Sequence, residues 1–260
     1  MKAIVTGAAS GIGRAIAQRL AADWAEQGLL LVLLDRSAAP LATLAEELNN
    51  IDGVDVFGLP ADLSAPEELA QAVSTALDRC DAEVDLLVNN AGISAPGNLR
   101  DLSLEAWDLD FAVNTRAAFL LSQACYRALA RRRGSIVMTG SLSGSEPSPG
   151  LGAYSASKAA TIMLVKLLAR EWGPVGIRVN SVSPGSVLTG MTKRTYADVE
   201  FADRRAAAIP LGRVAEPEDI AAAVVMLAGA DARYISGVDV RVDGGWGVAL
   251  MPQAAAAPRA

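Results

Sequence analysis

Residues 5–13 read VTGAASGIG, with three glycines in seven positions. A glycine inside a regular element costs about 0.5–1 kcal/mol relative to alanine, so this concentration needs a structural reason. A short apolar run precedes the stretch, and residues 12–27 follow as an amphipathic helical pattern with Gly28 as its stop signal. A strand, a glycine turn and a helix in this order are typical of dinucleotide-binding folds. The spacing G-x-x-x-G-x-G departs from the generic G-x-G-x-x-G, so the motif alone leaves a plain strand-to-helix turn open.

The alternation of strand and helix continues along the chain. Leu29 to Leu34 is continuously apolar, as expected for a strand that is buried on both faces of a parallel sheet. Further helices are predicted at about 40–49, 66–79, 104–130, 153–172 and 217–228, and further strands near 54–58, 84–88, 135–139, 177–182 and 238–242. This order predicts an α/β fold: a single Rossmann-like domain over residues 1–250, with one doubly wound parallel sheet of about seven strands and helices on both faces.

The composition excludes several classes of function. The 260 residues carry a net charge of −6, which disfavours nucleic acid or an anionic membrane as the main partner. There is no histidine, so Ser-His-Asp hydrolysis, histidine-ligated zinc and imidazole acid–base chemistry are excluded. The two cysteines match no metal spacing, and no apolar run in the sequence is long enough to span a bilayer; since a strand-like run follows Met1 and Lys2 directly, we expect no signal peptide. We therefore expect a cytoplasmic protein that binds no metal.

Asp35 favours the interpretation of the glycine turn as a cofactor site. It ends the second predicted strand, 22 residues after Gly13, where a carboxylate is expected to bind the adenosine ribose hydroxyls. A carboxylate there also repels a 2′-phosphate, by about 4 kcal/mol for unit charges roughly 4 Å apart at an intermediate dielectric constant. Asp35 therefore predicts NAD rather than NADP as the cofactor, although Arg36 beside it leaves some tolerance for NADP.

Five further motifs follow in order along the chain. They are NNAG at 89–92, Asn114 inside a helical pattern, SIVMTGS ending at Ser141, YSASK at 154–158 and PGSVLT at 184–189. Together with the glycine turn, they resemble the short-chain dehydrogenase/reductase family from Lys2 to about Trp246. One such motif is weakly specific, but six in this order are strongly specific. The resemblance implies an oxidoreductase that transfers a hydride between a nicotinamide cofactor and a secondary alcohol or ketone.

Four residues are candidates for catalysis. Tyr154 and Lys158 are four residues apart, so a helix presents them on one face, and a neighbouring ammonium lowers the pKa of a phenol. The resemblance implies that Ser141 hydrogen-bonds the substrate oxygen and that Lys158 also binds the nicotinamide ribose. It further implies that Asn114 holds a helix backbone open around a water that leads from Lys158 to solvent. Taken singly, Ser141, Tyr154 and Asn114 also have structural explanations as a turn hydroxyl, a core ring and a surface amide.

The resemblance also implies a set of cofactor contacts. Asp62 and Leu63 match the pair that flanks the adenine, and Asn90 matches the residue beneath the adenosine ribose. Val187 and Thr189 match contacts to the carboxamide. The full predicted cofactor set comprises Gly7, Ser10, Gly11, Ile12, Gly13, Asp35, Arg36, Asp62, Leu63, Asn90, Tyr154, Lys158, Val187 and Thr189.

These motifs do not specify the substrate. Residues 186–212 correspond to the variable substrate lid of the family, and residues 251–260 form an Ala/Pro-rich segment predicted to be a mobile tail. In the lid we expect an apolar inner surface made by Met191, Tyr196, Phe201 and Ile209. We expect its cations to face water: Lys193, Arg194, Arg204 and Arg205.

Two other functions remain open. The first is an NADPH-dependent 3-oxoacyl-[acyl-carrier-protein] reductase, which Asp35 disfavours. The basic run 131–133 is compatible with docking of an acyl carrier protein, but solvated cations that complement a helix C-terminus explain it better. The second is a dinucleotide-binding sensor or scaffold without turnover, in which a complete set of four catalytic residues has no purpose.

The helical pattern at 155–172 carries more apolar side chains than a helix on one face of a sheet requires. Its apolar positions surround most of the axis, and a contiguous exposed patch of that size is rare on a monomer. We therefore expect a homotetramer, or a homodimer, with this helix at a two-fold interface close to the active site. The alternative is that residues 104–130 or the lid cover the additional face within one chain.

Overall fold

The computed structural model of the protein describes residues 1–193 and 195–249. Seven strands lie in this part of the chain, and they are β1 (Lys2–Thr6), β2 (Leu29–Asp35), β3 (Val54–Pro60), β4 (Leu86–Asn89), β5 (Ser135–Thr139), β6 (Arg178–Pro184) and β7 (Asp239–Val242). They form one sheet in the order β3-β2-β1-β4-β5-β6-β7, and all neighbouring strands are parallel. The order reverses between β1 and β4, which is the switch point where a doubly wound sheet binds its ligand.

Helices follow the strands and cover both faces of the sheet. They are α1 (Gly11–Trp24), α2 (Ala38–Leu48), α3 (Pro66–Arg79), α4 (Leu104–Phe111), α5 (Ala117–Arg132), α6 (Tyr154–Trp172), α7 (Val199–Ala208), α8 (Pro217–Ala228) and α9 (Trp246–Ala249). One core cluster lies between the sheet and α1, α2 and α8. The other lies between the sheet and α3, α5 and α6. The predicted fold class is therefore confirmed.

The burial of β2 explains why its sequence is continuously apolar. Leu31 and Leu33 of β2 belong to the first core cluster, whereas Val32 and Leu34 belong to the second. Successive side chains of a strand point to opposite faces, so a strand with a helical layer on each face must be apolar at every position.

The prediction of one continuous helix over residues 104–130 is wrong. The structure divides it into α4 and α5, joined by a π-helical turn at Ala112–Arg116. The hydrophobic period is nearly the same on both sides of such a turn, so the sequence pattern does not reveal the extra residue. The turn contains Asn114, one of the predicted catalytic residues.

Two further observations concern the remaining predictions. Within 1–193 and 195–249, none of the helices combines the length and the apolar character that a bilayer crossing requires. The tail predicted at 251–260 lies outside the described residues, as does Arg194 of the lid.

Candidate active site

A cavity of about 340 Å³ opens at the carboxyl ends of β1, β2, β4, β5 and β6. Its wall contains every predicted cofactor residue except Gly13. It also contains three of the four predicted catalytic residues, Ser141, Tyr154 and Lys158, whereas Asn114 lies behind the wall. Residues separated by up to about 180 positions in the chain therefore meet in one place, because the carboxyl ends of parallel strands share one edge of the sheet.

The glycine turn has a geometric reason for each of its outer glycines. Gly7 has φ +65°, and a Cβ there would lie 2.8 Å from the Ala91 Cα. A Cβ on Gly13 would lie 2.0 Å from the Gly7 carbonyl oxygen, so Gly13 serves the close packing of α1 on the turn rather than the cavity wall. Ser10 precedes α1, and its side chain makes no capping hydrogen bond. Gly11 and Ile12, the first residues of α1, line the cavity, so the positive end of the helix dipole lies at the cavity wall.

Asp35 is held in a fixed orientation at the end of β2. Its Oδ2 accepts a hydrogen bond from the Ala9 N–H at 3.0 Å, and its Oδ1 accepts one from the Ser37 N–H at 2.9 Å. Each oxygen keeps a second lone pair for a ligand. Arg36, next in sequence, is exposed at the rim of the cavity. Hydrogen bonds from Ser64 lower the pKa of the Asp62 carboxyl, so a second anion lies at this end of the cavity.

Asn90 joins the glycine turn to the neighbouring strands. Its Nδ2 donates to the carbonyl oxygens of Thr6 and Gly7 at 3.1 and 3.3 Å, and its Oδ1 accepts from the Thr139 Oγ1 at 3.0 Å. The amide therefore holds the turn in position, a role that the motif NNAG did not reveal. Leu63 and Val187 are buried in the cavity wall.

Lys158 is the buried cation of the site. Its side chain is on α6, the residue is 3% exposed, and its Nζ donates to the Thr139 carbonyl oxygen at 2.7 Å. The Nζ lies 5.8 Å from the centre of the Tyr154 ring. Burial lowers the pKa of Lys158 to about 8, because a low-dielectric environment disfavours the charged form. The carboxylate of Asp110 acts in the opposite direction.

Tyr154 differs from expectation. Burial raises the pKa of its phenol, the nearby Ser141 hydroxyl lowers this pKa by less, and the charge of Asp110 raises it further. The predicted lowering of the Tyr154 pKa is therefore wrong in direction, because desolvation of the phenolate is the largest influence on this pKa. Tyr154 is held as a phenol. The Ser141 Oγ accepts the Ser143 N–H at 3.1 Å, which leaves its own hydrogen available to a substrate oxygen.

Asn114 fixes the backbone around the site. Its Oδ1 accepts the Ile93 N–H at 2.9 Å, and its Nδ2 donates to the Ile93 carbonyl oxygen at 3.0 Å and to the Ser157 Oγ at 2.9 Å. Its main-chain carbonyl oxygen accepts the Thr161 hydroxyl at 2.9 Å. Asn114 thus ties the loop after β4 to α6. A helix-surface amide, the alternative explanation, is excluded because the residue is buried.

Two residues of the site were missed in the sequence. The main-chain oxygen of Thr139 holds Lys158, and backbone groups leave no signature in residue types. Asp110 is buried on α4 one helical turn before Asn114. The sequence did contain a signal for Asp110. Ala106, Asp110 and Ala117 are spaced by four and seven residues, which places the carboxylate on an apolar face of the predicted helix.

The lid segment 186–212 is partly as expected. Ile209 is buried, and Met191 lines the cavity despite its exposure. Lys193 and Arg204 face water, as predicted. Arg205 does not, because its guanidinium lies over two aromatic rings, 4.3 Å from the centre of Trp246 and 5.3 Å from that of Phe201. The sequence could not show this contact, because α9 was not predicted.

The basic run at the end of α5 is engaged with its own chain. Arg131 donates to the Ala82 carbonyl oxygen at 3.1 Å, and the Arg132 Nε donates to the Asp85 Oδ1 at 2.9 Å. These contacts agree with the structural explanation of the run. Among residues 1–193 and 195–249, no group of three or more acidic or cysteine side chains is arranged to hold a metal ion.

Comparison with known proteins agrees with this geometry. A family model described as enoyl-(acyl carrier protein) reductase matches residues 7–247. The short-chain dehydrogenase/reductase eriH of Hericium erinaceus is 40% identical over 245 residues, which cover 94% of this chain and 96% of that protein. The chain belongs to the short-chain dehydrogenase/reductase family. This dehydrogenase/reductase is therefore an oxidoreductase, and its family uses nicotinamide cofactors.

Two further relatives indicate what similar chains do. The D-threitol dehydrogenase of Mycolicibacterium smegmatis is 38% identical over 251 residues, with 94% of this chain and 92% of that protein covered. The solved structure of Pseudomonas aeruginosa RhlG, an active-site complex with NADP, matches with a TM-score of 0.86 at 32% identity. That match covers 95% of this dehydrogenase/reductase and 96% of RhlG.

Proposed function

We propose that this protein transfers a hydride between NAD(H) and a secondary alcohol or its ketone, with Tyr154 as the acid–base group. One observation carries the proposal: Tyr154, Lys158 and Ser141 share a single cavity with the fixed carboxylate of Asp35. The similarity to a D-threitol dehydrogenase supports a small alcohol as the substrate.

The residues present fit a dinucleotide. The uncapped N-terminus of α1 and the turn at Gly7 and Gly11, both with positive φ, form a cradle for a pyrophosphate. Asp35 would hold the adenosine ribose, Asp62 and Leu63 would flank the adenine, and Lys158 would bind the nicotinamide ribose. When bound, the nicotinamide ring supplies the hydride chemistry.

The chain's own residues handle the proton and the developing charge. In the oxidation direction, Tyr154 as phenolate takes the hydroxyl proton of the alcohol, while Ser141 donates a hydrogen bond to the substrate oxygen. In the reduction direction, the Tyr154 phenol returns a proton to that oxygen. Because burial raises the pKa of Tyr154, the oxidation direction requires a pH high enough to form the phenolate, whereas reduction does not.

Preference for NAD over NADP rests on Asp35. Its charge is anchored by two backbone N–H groups and cannot rotate away from a 2′-phosphate. Among the residues that the structure describes, the exposed Arg36 is the cation next to Asp35 in the wall that would attract such a phosphate. The related RhlG structure contains NADP, so this preference must be decided for the present chain by its own residues.

A second candidate function is an NADPH-dependent 3-oxoacyl-[acyl-carrier-protein] reductase. The description of the matching family model, a reductase of acyl carrier protein substrates, favours it. Asp35 opposes it through repulsion of the 2′-phosphate. The internal contacts of Arg131 and Arg132 also oppose it, because they engage two of the cations that would dock the carrier.

Initial rates with NAD⁺ and NADP⁺ on secondary alcohols, polyols and 3-hydroxyacyl thioesters test both candidates. We expect turnover of a secondary alcohol or polyol with a higher kcat/KM for NAD⁺. Asp35→Ala is expected to reduce that preference by roughly 10- to 100-fold, which corresponds to part of the repulsion between two unit charges. Asp55→Ala, at an exposed carboxylate of β3, is the control. Thioester turnover with NADP(H) alone would favour the second candidate, and binding of NADH without turnover of any substrate would indicate a sensor.

We also propose that the protein is a homotetramer, or a homodimer, with α6 at an interface. Its inner face packs on the sheet through Thr161, Val165 and Leu168. Its outer face carries a stripe of exposed small and apolar side chains, which are Ala156, Ala159, Met163 and Leu167. The alternative was that residues 104–130 cover this face within one chain. In the structure, α4 and α5 leave the stripe exposed.

A further inference from the structure

Only two charged side chains are buried in the described part of the chain, and both lie against the loop after β4. The Asp110 Oδ1 accepts the Ala95 N–H of this loop at 3.1 Å, and a Cβ on Gly92 of the same loop would lie 3.2 Å from the Lys158 Nζ. Asp110 is 0% exposed, and Lys158 has most of its ammonium donors unused after its bond to Thr139. The two form no ion pair within 4 Å among the described contacts. Burial raises the pKa of the Asp110 carboxyl, and the Ala95 N–H and the charge of Lys158 act against this rise; the charge of Asp110 in turn raises the pKa of Lys158. Burial of a charge without an opposite charge nearby is costly, so the presence of these two buried charges needs an explanation.

The carboxylate of Asp110 is held by one contact and open on its other side. Its Oδ1 accepts the Ala95 N–H at 3.1 Å. Its Oδ2 is buried and has no hydrogen-bond partner among residues 1–193 and 195–249. One helical turn further on, Asn114 binds Ile93 of the same loop. Two adjacent helical turns therefore fix the loop after β4. The neutral amide of Asn114 does so without a charge, so anchoring of the loop does not explain why residue 110 is a carboxylate.

We propose that Asp110 is the counter-charge of the active site: an ionised carboxylate at the end of α4 that keeps Lys158 protonated and sets the pH range in which Tyr154 exchanges its proton. Asp110 is a positioning residue, because it acts through Lys158 and Tyr154 and does not line the cavity. The kinetic consequence rests on the proposed function. The electrostatic one does not.

Within residues 1–193 and 195–249, the elements around Asp110 offer no other charged group for this role. The loop 91–97 contains no titratable residue. In the π-helical turn, the exposed Arg116 donates to the Ser64 carbonyl oxygen. On α6, the titratable groups whose pKa responds to the charge of Asp110 are Tyr154 and Lys158. On α4 itself, Glu105 and Asp108 are exposed.

Asp110→Asn tests the proposal with little change in shape. The amide oxygen can still accept the Ala95 N–H, so the variant removes the charge and keeps the contact. Without the anion, the phenolate of Tyr154 is less disfavoured and the ammonium of Lys158 is less favoured, so both groups titrate at lower pH. Asp108→Asn, two residues earlier on the same helix and exposed, is the matched control. Asp110→Glu, which restores the charge, is the rescue variant.

The first measurement needs no substrate. The chain has four tyrosines, so [ζ-¹³C]tyrosine labelling gives few signals, and Tyr154→Phe identifies the one of interest. We expect the Tyr154 titration to move to lower pH by at least about half a pH unit in Asp110→Asn and to stay unchanged in Asp108→Asn. An unchanged titration in folded Asp110→Asn overturns the proposal. If the variant does not fold, the wild-type Tyr154 signal must show a second inflection at acid pH, where Asp110 gains its proton, and its absence overturns the proposal equally.

The second measurement is the pH profile of kcat/KM for oxidation of a secondary alcohol with NAD⁺. Both limbs are expected to shift to lower pH in Asp110→Asn and to return in Asp110→Glu, whereas a purely structural role would lower the rate at all pH values alike. A shifted Tyr154 titration without turnover in any variant would remove the proposed function and leave this inference standing. Turnover by the wild type and by Asp110→Asn with the same pH profile would overturn this inference and leave the proposed function standing.

Discussion

At the scale of single side chains, the proposed acid–base role of Tyr154 can be separated from its place in the cavity wall. Tyr154→Phe removes one ionisable hydroxyl and leaves the ring that forms part of the cavity wall. We expect kcat to fall to a few per cent or less of the wild-type value, at the magnitude of about 10²- to 10⁴-fold that general acid–base catalysis contributes. NADH binding, measured by fluorescence titration, is expected to remain nearly intact. Substantial residual turnover would mean that another residue carries the proton.

Lys158 links the site to the stability of the fold. Its pKa is about 8 in the folded protein and higher when unfolded, so between these values the unfolded chain binds more protons. The contribution of Lys158 to the free energy of unfolding therefore rises with pH above about 8. Relative to Lys158→Met, the wild type should gain about 2 kcal/mol between roughly pH 7 and 9.5. Urea unfolding of both proteins at both pH values measures this gain. If the free energy of unfolding of the wild type relative to Lys158→Met stays constant or falls as the pH rises, the lowered pKa of Lys158 is contradicted.

At the scale of elements, α7 and α9 are connected by one side chain. Arg205 of α7 lies between Phe201 and Trp246, and a cation–π contact of this kind contributes about 0.5–2 kcal/mol. Arg205→Ala is expected to raise amide hydrogen exchange over residues 199–208 by a few-fold to about 30-fold. Arg204→Ala is the control, because its guanidinium pairs with Glu200 on the exposed side of the same helix. Equal exchange in both variants would show that the ring contacts do not hold α7.

At the scale of the whole molecule, the proposed assembly depends on the outer face of α6. Leu167 and Met163 are 50% and 53% exposed, so Leu167→Glu is expected to lower the mass measured by light scattering without unfolding the chain. Leu168 is 4% exposed and lies in the core, so the same substitution there would destabilise the monomer instead. Leu211→Glu, which adds an identical charge at an exposed leucine outside α6, is the control. A wild-type mass near 26.9 kDa would exclude the proposed oligomer.

Local sequence determined most of the fold, and the reason is the chemistry of parallel sheets. Strands covered on both faces must be apolar throughout, and the helices between them must show an apolar stripe, so both periods are readable without a structure. The glycine turn and the pair Tyr154 and Lys158 were readable for the same reason, because close backbone approach and a shared helix face are short-range requirements. These features predicted the sheet, the position of most elements to within a few residues and the residues that line the cavity.

The tertiary structure alone decided whatever depends on burial and on contacts between distant segments. It broke the predicted helix at the π-helical turn, placed Arg205 over Trp246, and assigned Leu167 to the surface and Leu168 to the core. It also reversed the expected pKa change of Tyr154 and brought the carboxylate of Asp110 near the active site. Proximity along the chain sets which groups can interact, but desolvation depends on the atoms that surround each group in space. Those atoms come from other strands and helices, and no local pattern records them.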